Sequence, residues 1–477
     1  MSNKVRVRFA PSPTGFMHLG NIRVALMNYL FAHQKKGSFV LRIEDTDKFR
    51  NLSEAGFQIL QDLKWLGLKY TEGPIIGGEF EPYYQSERTE IYKKQLDQLI
   101  EPKKVYRCFC TKERLDNMRE KQVAAGQPPR YDRTCLDLSD DMIKQKIAVG
   151  LPFLWRFKIN QEQVFDVNCM ARGKTRFEMK NFSDFALTRH DGSFTFMFAN
   201  FVDDWLMQIT NVIRGEDHLS NTAMQAALFD AFAVHMPTFW HLPMLCSAEG
   251  KKLSKRDFGF SLEDLKHEGF LPQAICNYLA IIGGSFEQEI QSLGELAKSF
   301  DFDNIHSTGA IRYDIEKLTW LNHKWIERVS SEKLFELAAE FLYEQIPASQ
   351  SVTQDKLEFL LQKVKTDLKT LKDVGPALSF YFDAPEIDIK AIQDKIGADK
   401  TKIIFELIKK NLDNLSQTEF FLDSLKTEGK EKGLKIRDVF GTIRYLLTGK
   451  FQGVGIHDLF EILEVEKIKA RLSQSVR

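Results

Sequence analysis

Val5, Val7 and Phe9 alternate with Arg6 and Arg8, the period of two that marks a strand with one buried face. The APSPTG run at 10–15 supplies turn formers that stop it. From Ile22 the apolar positions recur at helical spacing through Leu26, Tyr29 and Leu30, until Gly37 ends the pattern. Residues 39–43 read as a second strand, and Ser53 can cap a helix running through Leu60 and Leu63 to Leu66. Strand, helix, strand with short connections is the unit of a parallel, doubly wound sheet. The same grammar returns near residue 194: a buried strand at 194–198, a helix at 201–209, a strand at 211–214, a helix at 222–232 and a third strand at 239–245. The long segment between the two halves, with short strand-like runs such as 152–159, reads as a domain inserted into the sheet. Beyond about residue 325, charged and apolar residues mix at helical spacing, as at 333–342 and 355–364, and glycine is sparse until Gly429. The predicted fold class is α/β: a Rossmann-type parallel-sheet domain carrying an inserted α+β domain, followed by an all-helical region.

Composition narrows the setting. A chain of 477 residues has room for several domains. No apolar run approaches the ~20 residues that span a bilayer. The N-terminus MSNKVRVRFA lacks the apolar core of a secretion signal. With only six cysteines, the expected location is a reducing cytoplasm, with no membrane partner. Lys plus Arg equals Asp plus Glu at 66 each, which excludes whole-molecule attraction to nucleic acid but leaves room for a local basic face.

In a parallel sheet, ligands bind outside the carboxyl ends of the strands. Arg8 sits near one such end, Glu44 to Asp47 at the next, and Asn200, Arg214 to Asp217 and Leu245 near later ones. One strand-end charge merely faces water; arginines and carboxylates at several ends fit a small charged or zwitterionic ligand. His18-Leu-Gly-Asn21 opens the first helix, whose free N–H groups favour an anion; Gly20 permits close approach and His18 can donate to a phosphate oxygen. Lys251 to Arg256 follow the last predicted strand beside Gly250, on a loop able to swing, where lysines can neutralise phosphate charge during a displacement. In the inserted segment, Cys108, Cys110 and Cys135 can converge on one metal, for which zinc wants four ligands; three separately buried thiols are the plain alternative. Cys169, Cys246 and Cys276 read as structural. In the helical region the run at 363–372 is locally basic, and either it or Arg444 and the residues to Gly449 can meet an anionic partner.

Two of these runs carry a resemblance. PTGFMHLGN resembles the HIGH motif, and KLSKR at 252–256 the KMSKS loop, of class I aminoacyl-tRNA synthetases, in the expected order. RFAPSPTG at 8–15 and RIEDTD at 42–47 are similar to the glutamyl and glutaminyl subgroup. The helical remainder resembles bacterial-type glutamyl enzymes, where glutaminyl enzymes carry β-barrels. The resemblance implies ATP-dependent activation of L-glutamate to glutamyl-adenylate and transfer to the 3′ end of tRNA(Glu). The alternative is a nondiscriminating or paralogous form that also or mainly charges tRNA(Gln).

By the same resemblance, His18, Lys252 and Lys255 are catalytic. Arg8, Ala10, Ser12, Glu44, Phe196, Asn200 and Arg214 bind glutamate, Phe196 standing where glutamyl enzymes often have tyrosine. Thr14, Gly20, Asn21, Asp217, His218, Leu245 and Lys255 bind ATP, with Mg2+ as its companion. Zinc is implied at Cys108, Cys110 and Cys135, with Asp137 or Tyr131 as fourth ligand. The implied domains are a first catalytic half (1–105), an inserted acceptor-stem-binding domain (106–190), a second catalytic half ending in the KLSKR loop (191–256), a stem-contact domain (257–325) and a helical anticodon-binding domain (326–477), in a monomer.

Overall fold

The alternating strand at the N-terminus forms over Arg6–Phe9 (β1) and pairs in parallel with Ser38–Leu41 (β2), in the register Val7 to Phe39 and Arg8 to Val40. Helix α1 (Leu19–Gln34) makes the crossover. All four residues of β2 are buried, as expected for a parallel strand covered on both faces. This computed structural model describes residues 4–46, 55–247, 249–251, 253, 261–284, 286–303, 305 and 309–475. The helix toward Leu66 runs over Ala55–Leu66; its expected cap Ser53 lies outside the described residues.

The chain divides into two compact units, one of Met1–Asp264 with Ile275–Ile315 and the other of Leu265–Ala274 with Glu316–Arg477. In the first, Val105–Cys108 (β3), Leu154–Phe157 (β4) and Phe185–Ala186 (β7) form an antiparallel sheet in the order β3-β4-β7. Val164–Cys169 (β5) and Gly173–Glu178 (β6) form a hairpin. Asn211–Gly215 (β8) runs parallel to Thr238–Leu242 (β9), and β9 meets the end of β5, giving the order β6-β5-β9-β8. Thr210 ties β1 to the start of β8: its Oγ1 accepts the Arg6 N–H at 2.8 Å, and its own N–H reaches Arg6 O at 2.9 Å. The carboxyl ends of β1 and β8 therefore open in the same place.

Two expectations are corrected. Residues 194–198 are not a strand, because the helix Phe196–Leu206 begins inside that run, with Thr195 extended before it. A helix buried on most sides and a buried strand leave the same continuous apolar run, so periodicity cannot separate them. The strand expected over 239–245 is broken: β9 ends at Leu242, and Leu245–Cys246 (β10) pairs instead with Ile311–Arg312 (β11). Pro243, which has no N–H to give a ladder, lies at the break.

The second unit holds no strand among its described residues. Its helices close on a core of leucine, isoleucine and valine, including Leu360, Leu361, Ile404 and Ile443. Ser330 caps the helix Ser331–Gln345, accepting the Lys333 N–H at 3.3 Å. Gly449, left-handed at φ 74°, ends Ile436–Thr448.

Candidate active site

A cavity of about 850 Å³ opens at the carboxyl ends of β1 and β8 and the N-terminus of α1. Arg8, Ala10, Ser12, Thr14, His18, Gly20, Asn21, Glu44, Phe196, Asn200, Arg214, Asp217, His218 and Leu245 all line it. Lys252 and Lys255 lie outside the described residues. Leu253 between them lines the cavity, its N–H bonded to Leu245 O at 3.2 Å.

His18 is the N-cap of α1. Its Nδ1 accepts the Asn21 N–H at 3.3 Å, and Asn21 Oδ1 accepts the His18 N–H at 3.3 Å. With Nδ1 accepting in that reciprocal cap, the ring proton of a neutral imidazole sits on Nε2. Gly20 is required beside it, since a Cβ there would come within 2.9 Å of His18 Cε1. Phe196 faces the His218 ring, centroids 5.6 Å apart.

Behind the cavity lies a buried charged cluster. Arg8 spans both oxygens of Asp204, Nε to Oδ1 at 3.1 Å and Nη2 to Oδ2 at 3.2 Å. Arg42 reaches Asp204 at 2.8 Å and Glu44 at 2.9 Å. Asp203 accepts from Arg88 at 2.7 Å and from Gln85 and Tyr92 at 2.8 Å each. Asn200 Nδ2 donates to Glu44 Oε1 at 2.6 Å while Gln225 Nε2 donates to Asn200 Oδ1 at 2.6 Å, which sets the orientation of the Asn200 amide. Burial raises the Glu44 carboxyl above its usual range despite Arg42 and Asn200. Burial would raise Asp204 too, but the guanidiniums of Arg8 and Arg42 hold it below.

Arg214 is 5% exposed. Burial, then the like charge of Arg8, push its guanidinium down to about 9. Its Nη1 is buried and has no hydrogen-bond partner among the described residues. A buried N–H of a cation left without an acceptor is costly, so this corner suits an anion.

The sequence reading missed Arg42, Arg88, Asp203, Asp204, Thr222 and His241. One signal was present: two adjacent carboxylates inside the apolar run FMFANFVDDWL, where an unpaired acid would not be tolerated.

Away from the cavity, Cys108, Cys110 and Cys135 are buried with their sulfurs within 4.8 Å of one another. The Tyr131 hydroxyl lies 3.3 Å from Cys108 Sγ and 3.5 Å from Cys110 Sγ. Asp137 is exposed and is not in this group. Hydrogen bonds from Cys135 and, against burial, from Tyr131 pull the Cys108 thiol down to about 4. In the second unit the basic run is largely engaged: Lys363 pairs with Asp458 at 2.7 Å, Lys372 with Glu268 at 2.7 Å, and Lys365 bonds Val329 O. Arg444 clamps its own loop, donating to Val454 O at 2.8 Å and Phe451 O at 3.1 Å.

Residues 4–320 match the family described as tRNA synthetases class I (E and Q), catalytic domain, and residues 333–476 match an anticodon binding domain. The chain is 36% identical to the glutamate–tRNA ligase of Finegoldia magna, with 99% of both chains covered. It is 37% identical to that of Thermodesulfovibrio yellowstonii, again over 99% of each. A crystal structure of a glutamate tRNA ligase from Elizabethkingia meningosepticum in complex with its amino acid is similar at a TM-score of 0.86 and 32% identity, covering 99% of each chain.

Proposed function

The chain belongs to the class I tRNA synthetase family of the glutamyl and glutaminyl enzymes, and from that membership we propose that it is a glutamate–tRNA ligase acting on L-glutamate, ATP and tRNA(Glu). The α-carboxylate of glutamate attacks the α-phosphorus of ATP, and pyrophosphate leaves. A hydroxyl of the 3′-terminal ribose then takes the glutamyl group, and AMP leaves. No side chain becomes covalently attached; the site supplies position and charge. His18 Nε2–H and the α1 N-terminus receive the phosphates with Mg2+, and Lys252 and Lys255 complete their neutralisation.

The observation that carries the amino-acid assignment is the unpartnered Nη1 of buried Arg214. It takes the side-chain carboxylate, while Arg8, already paired with Asp204, is the weaker of the two guanidiniums for this purpose. Glutamine has nearly the same shape, but its neutral amide leaves the arginine uncompensated. That costs about 2–5 kcal/mol, or roughly 30- to several-thousand-fold.

The zinc reading rests on fit. Ligands about 2.3 Å from a tetrahedral centre lie roughly 3.7 Å apart, and Cys110 Sγ and Cys135 Sγ are 3.6 Å apart. The three thiolates would hold zinc, with Tyr131, rather than exposed Asp137, nearest as fourth ligand; its role is structural, tying the inserted domain together. That domain takes the acceptor stem and the helical domain the anticodon arm, in a cytoplasmic monomer. No helix among the described residues is long and apolar enough to cross a membrane. Charging of tRNA(Gln) is the second reading, and separated tRNAs decide it.

Glutamate-dependent exchange between ATP and pyrophosphate, run with and without tRNA, tests the function. Exchange that needs glutamate and is stimulated by tRNA(Glu) is expected. Exchange driven equally by another amino acid overturns it.

A further inference from the structure

Three buried guanidiniums near the cavity are neutralised by acids: Arg8 and Arg42 by Asp204 and Glu44, and Arg88 by Asp203. Three cations meet three anions there. Arg214 is held differently. Its Nη2 donates to Thr222 Oγ1 at 2.8 Å and to His218 O at 3.3 Å, and its Nε donates to His241 Nε2 at 3.4 Å. All three acceptors are neutral.

His241 is neutral because burial, reinforced by Arg214, pushes its imidazole down to about 3. With Nε2 facing the guanidinium and unprotonated, that nitrogen also accepts the Thr222 hydroxyl at 2.9 Å. The Thr222 oxygen thereby turns its lone pairs to Arg214. Asp204, Glu44 and Asp217 act on Arg214 from a distance and do not outweigh its burial and the charge of Arg8. Arg23, which also lines the cavity, is spent on the backbone, donating to Pro243 O at 3.1 Å and Ile282 O at 3.3 Å, so Arg214 is the cation beside the acid cluster that neutral side chains hold.

We propose that Thr222 and His241 are positioning residues that set the amino-acid selectivity, by holding Arg214 through neutral acceptors so that its charge is left for the substrate's side-chain carboxylate. This rests on the reading that Arg214 binds the side chain of glutamate. An acid in place of Thr222 would neutralise the guanidinium before the substrate arrived, and the amide of glutamine would then bind as well as the carboxylate.

Steady-state aminoacylation of tRNA by the full chain, with glutamate and with glutamine, tests this on wild type, Thr222→Asp, Thr222→Val and Thr222→Ser, with ATP binding measured in each. Thr222→Asp is expected to raise the glutamate KM by about 100-fold and narrow the glutamate/glutamine ratio of kcat/KM by a similar factor, leaving kcat for glutamate within about threefold. Thr222→Val removes one hydrogen bond to a charged group and should narrow the ratio by about tenfold, with Thr222→Ser restoring it. A merely structural threonine would alter stability and leave the ratio unmoved. A Thr222→Asp chain that binds ATP yet keeps the wild-type ratio overturns the proposal. If that variant does not fold, the Val and Ser pair decides: an unchanged ratio in Thr222→Val, or no recovery in Thr222→Ser, overturns it. A wild type that charges no glutamate overturns the functional reading and this inference together.

Discussion

The two units differ in the buried charge they carry. In the first, buried charges meet one another: Arg42 with Glu44 and Asp204, and Arg88 with Asp203, all beneath the cavity. In the second, buried polar groups bond their own backbone. Asn322 reaches Lys369 O at 2.7 Å, Thr401 reaches Gly397 O at 2.8 Å, Asn411 reaches Leu407 O at 3.0 Å and Thr442 reaches Asp438 O at 2.8 Å. The rest of that core is apolar, mostly leucine, isoleucine and valine with Phe380, Phe421 and Tyr445. Taking an ion out of water costs several kcal/mol, and hydrophobic residues of equal volume often serve stability as well or better. The helical unit follows that economy and keeps its core as scaffold. The catalytic unit departs from it beneath the pocket, where a fixed field has to be held in register with the ligand.

The largest effect that would sharpen this contrast is at Asp203. Asp203→Ala strands Arg88 and the Tyr92 hydroxyl and weakens the counter-charge of Arg42. It should remove about 3–5 kcal/mol from the first unit in denaturant titration; a loss under about 1 kcal/mol would mean the cluster is not tightly coupled.

Acid gives the next test. The folded His241 imidazole is pushed down to about 3 from 6.5, chiefly by burial. Above pH 6.5 neither folded nor unfolded chain protonates it, so it costs nothing. As pH falls from 6.5 toward 3, the unfolded chain takes up a proton that the fold refuses, and stability is lost. Asp204, held low by its arginines after burial is overcome, adds to the loss as pH falls below 3.8. In the second unit, hydrogen bonds from Lys372, Lys324 and Lys410 hold the Glu268, Glu327 and Glu428 carboxyls below 4.5, so its loss begins at lower pH than that from His241. Melting followed over that range should show the first unit weakening earlier; equal weakening would erase the distinction.

The smallest effect is expected at Ile404. Ile404→Val should cost the second unit about 1 kcal/mol and leave the glutamate KM unchanged. A shifted KM would show that the helical core is more than scaffold.

Arg8, Arg214 and the run 10–15 were legible in the sequence because they sit at strand ends and in a turn, where a parallel sheet must place them, whereas Asn200, expected near a strand end, lies with Phe196 in the helix Phe196–Leu206. The capping geometry of His18 and Asn21 follows from their spacing of three at a helix start. What escaped lies on helices and in the third dimension. Asp203 and Asp204 fall within an apolar helix and acquire meaning only when Arg8, Arg42 and Arg88 converge on them. The resemblance left Tyr131 and Asp137 level as partners of the cysteines. The chain reverses at Arg133, φ 61°, and the Tyr131 hydroxyl accepts the Cys135 N–H at 3.2 Å, which brings tyrosine and thiols together. The lysines at 363–372 read as a basic face because their acids, Asp458 and Glu268, are remote in sequence.

The most direct test of the uncompensated-arginine reading is Arg214→Gln, assayed for charging of tRNA with glutamate and with glutamine. Glutamate kcat/KM should fall by roughly 30- to several-thousand-fold, with glutamine changed far less, so that the ratio between them collapses toward one. An unchanged glutamate/glutamine ratio in a variant that still binds ATP would contradict it.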